Sequence, residues 1–241
     1  MLIVKIKTTK NGKYKMRARK KKNRDSRLAA ASHLLTTPET SLAATPDAFA
    51  RFERAELEIG CGKGNFSIGM SQQKPNAAFF ALEKITDVMI TALEKASVHF
   101  EEKGIDLDER NLFFILGDAG DVTEYFAPHS LDTIYLNFSD PWPKKGYAKR
   151  RLTHENFLKI YAPLLKDDGV LKFKTDNVGL FDFSLEELER SGWSISDVTR
   201  DLHANGNPEG NVMTEYETNF VLSGKPICSL VAKPGIVKSE E

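Results

Sequence analysis

The sequence predicts an α/β protein built on a doubly wound, mostly parallel sheet of seven strands. From about residue 55 onward, short apolar segments alternate with longer segments of helical periodicity. Two early strand candidates, AFFAL at 78–82 and LFFIL at 112–116, are nearly continuous apolar runs. Such runs are typical of parallel strands that are covered on both faces. Alternation of strands and helices then requires right-handed crossovers, which produce a doubly wound sheet.

Seven strands and four helices are predicted in this region. The strands are expected at 56–59, 77–82, 111–116, 133–138, 170–174, 193–199 and 216–222. The helices are expected at 66–73, 86–103, 154–165 and 180–191. Only a short loop separates the last two predicted strands, so one of them is expected to run antiparallel. All these elements fall within one predicted domain, residues 51–241.

The first 50 residues differ from the rest in composition. Residues 1–30 are predicted to form a basic N-terminal arm, because positions 5–27 hold twelve Lys and Arg against the single acid Asp25. We expect this arm to be mobile until an anionic partner orders it. Residues 31–50 are predicted to be a short helix and linker, with the helix at 29–35 and a Ser/Thr/Pro-rich stretch reaching Pro46.

The formal net charge of zero hides a strong segregation of charge. A second cluster of five cations at 144–151 also contains no acid, so two basic patches accompany an acidic body. This distribution favours a polyanionic partner held at a defined place. The alternative is a solvated tail and a solvated surface loop.

Several function classes are disfavoured by composition. Cys61 and Cys228 do not form a C-x-x-C pair, and the five histidines have no metal-ligand spacing, so we expect no metal site. The apolar run at 2–4 is too short for a signal-peptide core, and no long apolar run follows. These observations predict a cytoplasmic protein with no membrane segment.

The first predicted strand leads into a glycine-rich turn, LEIGCGKGNF at 57–66. Glycines at alternate positions permit a sharp turn and close approach of a ligand, so Gly60 and Gly62 are candidate ligand contacts. The spacing is neither G-x-G-x-x-G nor a phosphate P-loop, which weakens a diphosphate interpretation. A turn without any ligand remains the alternative.

Four acids lie at or just after the ends of successive predicted strands, at the sheet edge where doubly wound folds bind ligands. They are Glu58, Glu83, Asp118 and Asp140. Glu83 is suited to accept both ribose hydroxyls, and Asp118 to accept from an adenine amino group. Each carboxylate has the alternative role of a helix cap or a solvated group. Together they indicate a nucleoside ligand without a diphosphate.

These motifs resemble the tRNA (guanine-N(7)-)-methyltransferases, within the S-adenosylmethionine-dependent, Rossmann-like methyltransferases. The resemblance covers residues 52–222. It is carried by LEIGCG at 57–62, LE at 82–83, GDA at 117–119, DPWPKK at 140–145, RRL at 150–152, KTDN at 174–177 and TEYE at 214–217. The glycine loop is generic, whereas DPWPKK followed by RR and T-x-x-E is specific. The basic arm and the stretch after Ser223 match no motif of the family.

The resemblance implies a methyl donor, a substrate and their contacts. S-adenosylmethionine contacts are implied at Glu58, Glu83, Asp118 and Asp140. Substrate contacts are implied at Lys144 and Asp176 and at Thr214, Glu215, Tyr216 and Glu217, and RNA contacts at Gly146, Tyr147, Ala148, Lys149, Arg150 and Arg151. The implied reaction methylates N(7) of a tRNA guanine, the variable-loop guanine at position 46. The partner is tRNA, with a monomer or homodimer and no accessory subunit implied.

The chemistry agrees with the residues present. The N(7) atom of guanine carries a free lone pair at neutral pH, so no general base is required. Asp140 is the candidate catalytic residue, because a carboxylate near the acceptor stabilises the positive charge that develops on the purine. Trp142 either stacks on the base or anchors its loop in the core. Other hypotheses are methylation of another RNA base or a protein amino group, a non-catalytic RNA-binding module, and, remotely, a nicotinamide-dependent dehydrogenase.

Overall fold

The chain folds around one seven-stranded sheet in a computed structural model that describes residues 23–235. The strands are β1 (Arg54–Ile59), β2 (Ala77–Glu83), β3 (Leu112–Leu116), β4 (Leu131–Asn137), β5 (Leu165–Thr175), β6 (Ser194–Thr199) and β7 (Cys228–Lys233). Their order is β3-β2-β1-β4-β5-β7-β6. The first five strands pair in parallel, and β7 runs antiparallel to both β5 and β6. The predicted fold class is confirmed.

Helices cover both faces of the sheet. They are α1 (Arg24–Ala31), α2 (Asn65–Gln73), α3 (Thr86–Lys103), α4 (Glu155–Tyr161), α5 (Val178–Arg190) and α6 (Glu215–Leu222). One buried cluster contains side chains of α1, α2 and α3, and a second cluster on the opposite face contains side chains of α4 and α5. This two-sided burial explains the continuous apolar sequences of β2 and β3. The predicted helix at 154–165 ends as a 3-10 turn at Ala162–Leu164, since Pro163 cannot continue an α-helix.

The N-terminal segment packs against the sheet rather than standing apart. Helix α1 begins at Arg24, earlier than predicted, and the Arg27 guanidinium pairs with the Glu94 carboxylate on α3. The predicted linker follows the edge strand β3, where the Thr36 N–H donates to the Phe114 carbonyl at 2.6 Å. Phe49, from the same stretch, is buried. Residues 1–22, which hold most of the predicted basic arm, and residues 236–241 lie outside the described part of the chain.

The prediction of a strand at 216–222 was wrong. These residues form helix α6, and the seventh strand is β7, which the sequence analysis missed. The sequence of α6 is rich in aromatic and β-branched residues, but Thr214 and Glu217 form a capping box that satisfies the first N–H groups of a helix. In β7, buried residues alternate with more exposed ones, which is the period of a strand with one covered face.

Within residues 23–235, no helix is both long enough and apolar enough to cross a membrane. The longest helix, α3, has 18 residues and carries several charged side chains. The structure therefore gives no transmembrane helix in the described range.

Substitution of Phe80 tests the packing of the buried cluster that contains side chains of α4 and α5. Its ring is fully buried and lies within 5.4 Å, centroid to centroid, of the rings of Phe49, Phe113 and Phe126. We expect Phe80→Ala to lower the free energy of unfolding by about 3–5 kcal/mol, because the substitution leaves a cavity. Denaturant titration measures the change. Val98→Ala, at an exposed position of α3, is the control and is expected to change stability by less than about 0.5 kcal/mol. A small loss for Phe80→Ala would contradict this packing.

Candidate active site

The turn between β1 and α2 requires glycine at three positions. Gly60, Gly62 and Gly64 have φ angles of 82°, 58° and 79°, which side chains with a Cβ rarely adopt. At Gly60 and Gly62, apart from the glycine and its two chain neighbours, no atom of residues 23–235 lies within 4 Å of the place that a Cβ would occupy. At Gly64, a Cβ would lie 3.0 Å from the Cβ of Ala92, so this glycine also permits close approach of α3. The loop is thus tightly packed below and open to a ligand above.

Glu58, on β1, is a deeply buried acid with two side-chain donors. It is 2% exposed, and the Nδ2 of Asn137 on β4 donates to its Oε1 at 3.0 Å. The Ser67 hydroxyl on α2 donates to the other oxygen. Burial raises the pKa of Glu58 to about 7, against the opposing effect of these donors and of the Lys174 charge. The carboxylate is therefore held at the junction of β1, β4 and α2.

Glu83 holds the glycine turn in place from the end of β2. Its Oε2 accepts from the Gly62 N–H at 3.1 Å, and its Oε1 accepts from the Ile85 N–H at 2.8 Å. Burial raises the pKa of this carboxyl. Each oxygen keeps further acceptor capacity, because a carboxylate oxygen has two lone pairs. The side chain is thus fixed in orientation and still able to accept from a ligand.

Asp118 follows β3 and caps the 3-10 turn at Ala119–Glu124. Its Oδ1 accepts from the Gly120 N–H at 3.0 Å, and its Oδ2 accepts from the Lys84 ammonium at 3.0 Å. The hydrogen bond from the Gly120 N–H has the largest effect in holding the pKa of Asp118 below its usual value, and the hydrogen bond from Lys84 acts in the same direction. Half of the side chain is exposed. Asp118 thus has a structural capping role as well as an open face.

A cavity of about 440 Å³ lies at the carboxyl edge of the parallel strands, between the glycine turn and α6. Six residues predicted to belong to the site line it: Glu58, Gly60, Gly62, Thr214, Glu215 and Tyr216. Asn137 and Phe138 also line it, from the end of β4. Glu83, Asp118 and Asp140 do not line this cavity, and neither do Asp176 or the basic loop. The structure therefore brings two separated sequence motifs, LEIGCG and TEY, to the same cavity.

Helix α6 forms the wall that faces the glycine turn. The Thr214 hydroxyl accepts from the Glu217 N–H at 2.9 Å, which starts the helix. The Glu215 carboxylate accepts from the Lys63 ammonium at 2.8 Å across the mouth of the cavity. Tyr216, half exposed, places its ring 5.3 Å from the ring of Phe138. This wall combines a charged link to the glycine loop with an aromatic surface.

Glu217 is buried below this wall and does not face the cavity. Its Oε2 accepts from Lys174 at 2.7 Å, and its Oε1 lies 2.8 Å from the His203 Nε2 and 3.1 Å from the Asn211 Nδ2. Burial acts to raise the pKa of Glu217, but the Lys174 ammonium and the other donors hold it below its usual value. These contacts fasten α6 to β5 and to the loop before it.

Asp140 lies on an exposed turn after β4. Its carboxylate has no hydrogen-bond or ion-pair partner in the part of the chain that the structure describes. On either side of it, Phe138 and Trp142 adopt positive φ angles of 53° and 40°. The Arg151 guanidinium donates to the carbonyls of Pro141 and Trp142, each at 3.0 Å. The backbone of this turn is therefore held firmly, whereas the acid itself is free.

The basic loop forms a 3-10 turn at Lys145–Arg150 beside Asp140. Its residues Lys144, Gly146, Tyr147, Lys149 and Arg150 are exposed, and Ala148 is half-buried. The Arg150 guanidinium lies 4.9 Å from the ring centroid of Trp142 and 4.7 Å from that of Tyr147. Trp142 is half-buried and contacts this loop, so it is not anchored in either core cluster. The loop presents cations and aromatic rings together.

The residues present fit a nucleoside-based methyl donor. The glycine turn offers open space, and the Glu83 carboxylate is fixed beside it with spare acceptor capacity. The Asn137 Oδ1 atom is buried and has no partner among the described residues. The sequence analysis did not select Asn137 or Phe138, although only Ser139 separates this pair from the DPW motif.

Among residues 23–235, no group of three or more His, Cys, Asp or Glu side chains is arranged to hold a metal ion. Cys61 and Cys228 are buried free cysteines. The side chains that line the cavity include acids, amides and aromatic rings.

Comparison with known proteins agrees with this geometry. A family model described as "Putative methyltransferase" matches residues 53–230. The tRNA (guanine-N(7)-)-methyltransferase of Lachnoclostridium phytofermentans is 43% identical, covering 85% of this chain and 92% of that protein. The protein of the same name from Limosilactobacillus reuteri is 42% identical, covering 90% of this chain and 99% of that protein.

Solved structures share the fold at low sequence identity. The 16S rRNA methyltransferase KamB has a TM-score of 0.58 and 14% identity, covering 81% of this chain and 94% of that one. A variant 16S rRNA (adenine(1408)-N(1))-methyltransferase from Catenulisporales acidiphilia was solved with cosubstrate SAM. It has a TM-score of 0.56 and 13% identity, covering 86% of this chain and 95% of that one. The architecture is that of the Rossmann-like methyltransferases.

Glu58 gives the free protein a characteristic pH dependence. Its pKa is about 7 in the folded chain, against 4.5 ordinarily, so between these pH values the folded state binds more protons than the unfolded state. Stability must therefore fall as the pH rises through this window. We expect Glu58→Gln to remove this fall, worth about 3 kcal/mol at about 1.4 kcal/mol per pH unit. Urea titrations from pH 4.5 to 8 measure it.

The exposed Glu53→Gln is the matched control for this series. Its unfolding free energy is expected to change with pH in parallel with the unaltered protein. A parallel profile for Glu58→Gln would show that Glu58 does not titrate in this window.

Proposed function

This chain belongs to the tRNA (guanine-N(7)-)-methyltransferase family, and from that membership we propose that it methylates the N(7) atom of a guanine in tRNA, with S-adenosylmethionine as donor. The specific base that we propose is the variable-loop guanine at position 46. The observation that carries the proposal is a cavity between the glycine turn and α6, next to an unpaired acid and a basic loop. The partner is tRNA, bound through its phosphates and the target base.

The donor is proposed to lie along the carboxyl edge of the sheet. Asp118, which follows β3, is proposed to accept from the adenine amino group, and Glu83, at the end of β2, from the ribose hydroxyls. Glu58, on β1, is proposed as a further donor contact. Gly60 and Gly62 admit close approach of the ligand to the backbone. When bound, S-adenosylmethionine supplies a methyl group activated by a sulfonium. Asp140 is proposed to contact both this donor and the acceptor base.

Asp140 is proposed as the catalytic residue. The guanine N(7) lone pair attacks without a general base, so the chain must align the reactants and stabilise charge. Positive charge develops on the purine, and the Asp140 carboxylate, which has no partner in the described range, is available to stabilise it. Pro141 and the Arg151 hydrogen bonds hold the turn that carries this acid. The proposal is supported by an exposed carboxylate without a partner in the described range, carried on a firmly held turn after β4.

Substrate contacts are proposed in the cavity and beside it. Thr214, Glu215 and Tyr216 line it from α6, and Asp176 directly follows β5 at the same edge. The polar side chains are suited to hydrogen-bond the guanine edge, and Tyr216 to stack on the base. Glu217 is proposed to act indirectly, since its buried carboxylate fixes α6 through Lys174.

The basic loop is proposed as the RNA-binding surface. Lys144, Lys149 and Arg150 are suited to contact phosphates, with Tyr147 exposed among them and Gly146 and Ala148 in the turn that presents them. Arg151 donates to the Pro141 and Trp142 carbonyls, so its proposed contribution is to shape the loop. Such contacts position tRNA without reading its sequence, which is left to the cavity and the tRNA shape.

Transfer of labelled methyl from S-adenosylmethionine to unmodified tRNA transcripts tests the function. We expect label on a transcript with the variable-loop guanine and none when adenine replaces it. Asp140→Asn is expected to lower kcat about 100-fold or more, because it removes the charge that stabilises the transition state. Asp167→Asn is the control, since Asp167 is fully exposed at the start of β5, away from the site.

Equal label on both transcripts would contradict the assigned base and leave the family assignment intact. Near-normal turnover of Asp140→Asn would remove this residue from the mechanism. Absence of label with proven donor binding would exclude tRNA guanine as the acceptor.

Arg150→Ala tests the basic loop. We expect weaker tRNA binding, and a slope of log affinity against log salt that is smaller by about 0.7–0.9, which corresponds to one lost phosphate contact. Filter binding or fluorescence anisotropy at several salt concentrations measures both quantities. Lys159→Ala is the control, because Lys159 is exposed on α4 and pairs with Glu155. An unchanged slope for Arg150→Ala would exclude a phosphate contact at this residue.

A further inference from the structure

Asn137 is a buried amide whose carbonyl oxygen has no hydrogen-bond partner among the described residues. The residue is 8% exposed and lines the cavity at the end of β4. Its Nδ2 donates to Glu58, but its Oδ1 has no partner among the described residues. Buried acceptors are rarely left unpaired, because desolvation is costly without a hydrogen bond. The unpaired atom therefore indicates a ligand with a donor group.

The orientation of this amide is fixed by its neighbours. The Ser67 hydroxyl donates to one oxygen of Glu58, and the other oxygen accepts from the Asn137 Nδ2 at 3.0 Å. Above its pKa of about 7, the Glu58 carboxyl group is ionised and only accepts hydrogen bonds, so it then faces the NH₂ side of the amide. The Oδ1 side is therefore the side left for a ligand.

The buried ammonium group of Lys174 does not satisfy this acceptor. The Lys174 ammonium, whose charge acts on Glu58, is bonded to Glu217 at 2.7 Å, to the Asn211 Oδ1 at 3.0 Å and to the Val212 carbonyl at 3.5 Å. These three acceptors use the three protons of the ammonium. An acceptor next to a buried carboxylate, with the local lysine already engaged, favours a ligand that carries its own N–H cation.

The order of the strands indicates which part of the donor reaches Asn137. The sheet runs β3-β2-β1-β4, and adjacent strands are about 4.8 Å apart. With adenine proposed at β3 and ribose at β2, the remaining part of the molecule extends over β1 and β4, where Asn137 lies. That part is the methionine moiety, whose α-amino group is a charged N–H donor.

We propose that the Asn137 Oδ1 accepts a hydrogen bond from the α-ammonium group of the methionine moiety, with Glu58 holding the amide in the required orientation. This assignment rests on the S-adenosylmethionine site of the proposed function and adds a residue that binds the amino-acid end. Asn137 thereby discriminates the complete donor from adenosine derivatives that lack the amino acid. It is a binding residue for one charged group of the donor.

Calorimetry without tRNA tests the assignment. The two probes are S-adenosylhomocysteine, which has the ammonium group, and 5′-methylthioadenosine, which lacks the whole amino acid. We expect Asn137→Ala to weaken S-adenosylhomocysteine binding by about 10- to 100-fold, as for loss of one charge-assisted hydrogen bond. Binding of methylthioadenosine is expected to change by less than about threefold, because that probe never made the bond.

Two control variants separate the bond from indirect effects. Ser67→Ala removes the other donor to Glu58 and keeps the Asn137 Oδ1, so the ratio of the two affinities is expected to stay unchanged. Asn76→Ala, at an exposed position before β2 and at the opposite sheet edge, is expected to change neither affinity. Equal losses for both probes in Asn137→Ala, or no loss at all, would overturn the proposal.

A probe-side experiment does not depend on the folding of any variant. S-adenosylhomocysteine without its amino group is expected to bind the unaltered protein at least tenfold more weakly than the parent compound. Equal affinities would overturn the ammonium contact while leaving the donor site intact. Failure of the unaltered protein to bind either adenosine probe would instead contradict the S-adenosylmethionine assignment of the proposed function.

Discussion

The buried ion pair between Lys174 and Glu217 determines where the second wall of the cavity stands. Lys174 belongs to β5, an interior strand, so its position is set by the sheet, and Glu217 is fully buried on α6. His203 and Asn211 complete the pairing of the carboxylate. Removing one partner of such a pair leaves an uncompensated buried charge, which costs about 3–5 kcal/mol. Thr214 and Tyr216 therefore face the glycine turn because α6 is fastened to the sheet from below.

The acids at the strand ends share one position in the fold but not one environment. Glu58 is surrounded by protein, so burial raises its pKa, whereas the Gly120 N–H and Lys84 lower the pKa of the half-exposed Asp118. Glu83 is buried but oriented by two backbone N–H groups. Sequence position alone places carboxylates along one edge. Their charge state and orientation depend on which loops and helices reach them.

Most of the sheet and part of the site could be predicted from the sequence. Strands β1 to β4 have local signals, since β2 and β3 are nearly continuous apolar runs and all four strands lead into polar or glycine-rich turns at the ligand-binding edge. The segment at 216–222 misled the prediction, because β-branched and aromatic residues outweighed the capping box at Thr214. Asn137 could not be selected, because its significance arises from Glu58, which is 79 residues away along the chain. No local pattern encodes an amide oxygen that is left without a partner.

The two residues with a left-handed backbone conformation on either side of Asp140 limit how far this acid can move when the site changes during evolution. Phe138 and Trp142 hold a backbone that costs about 1–3 kcal/mol per residue to maintain, and the Arg151 guanidinium binds the carbonyls between them. The acid is thus positioned by its own main chain and not by neighbouring side chains. The surrounding surface can then change through evolution, to suit a different RNA, without displacing the carboxylate.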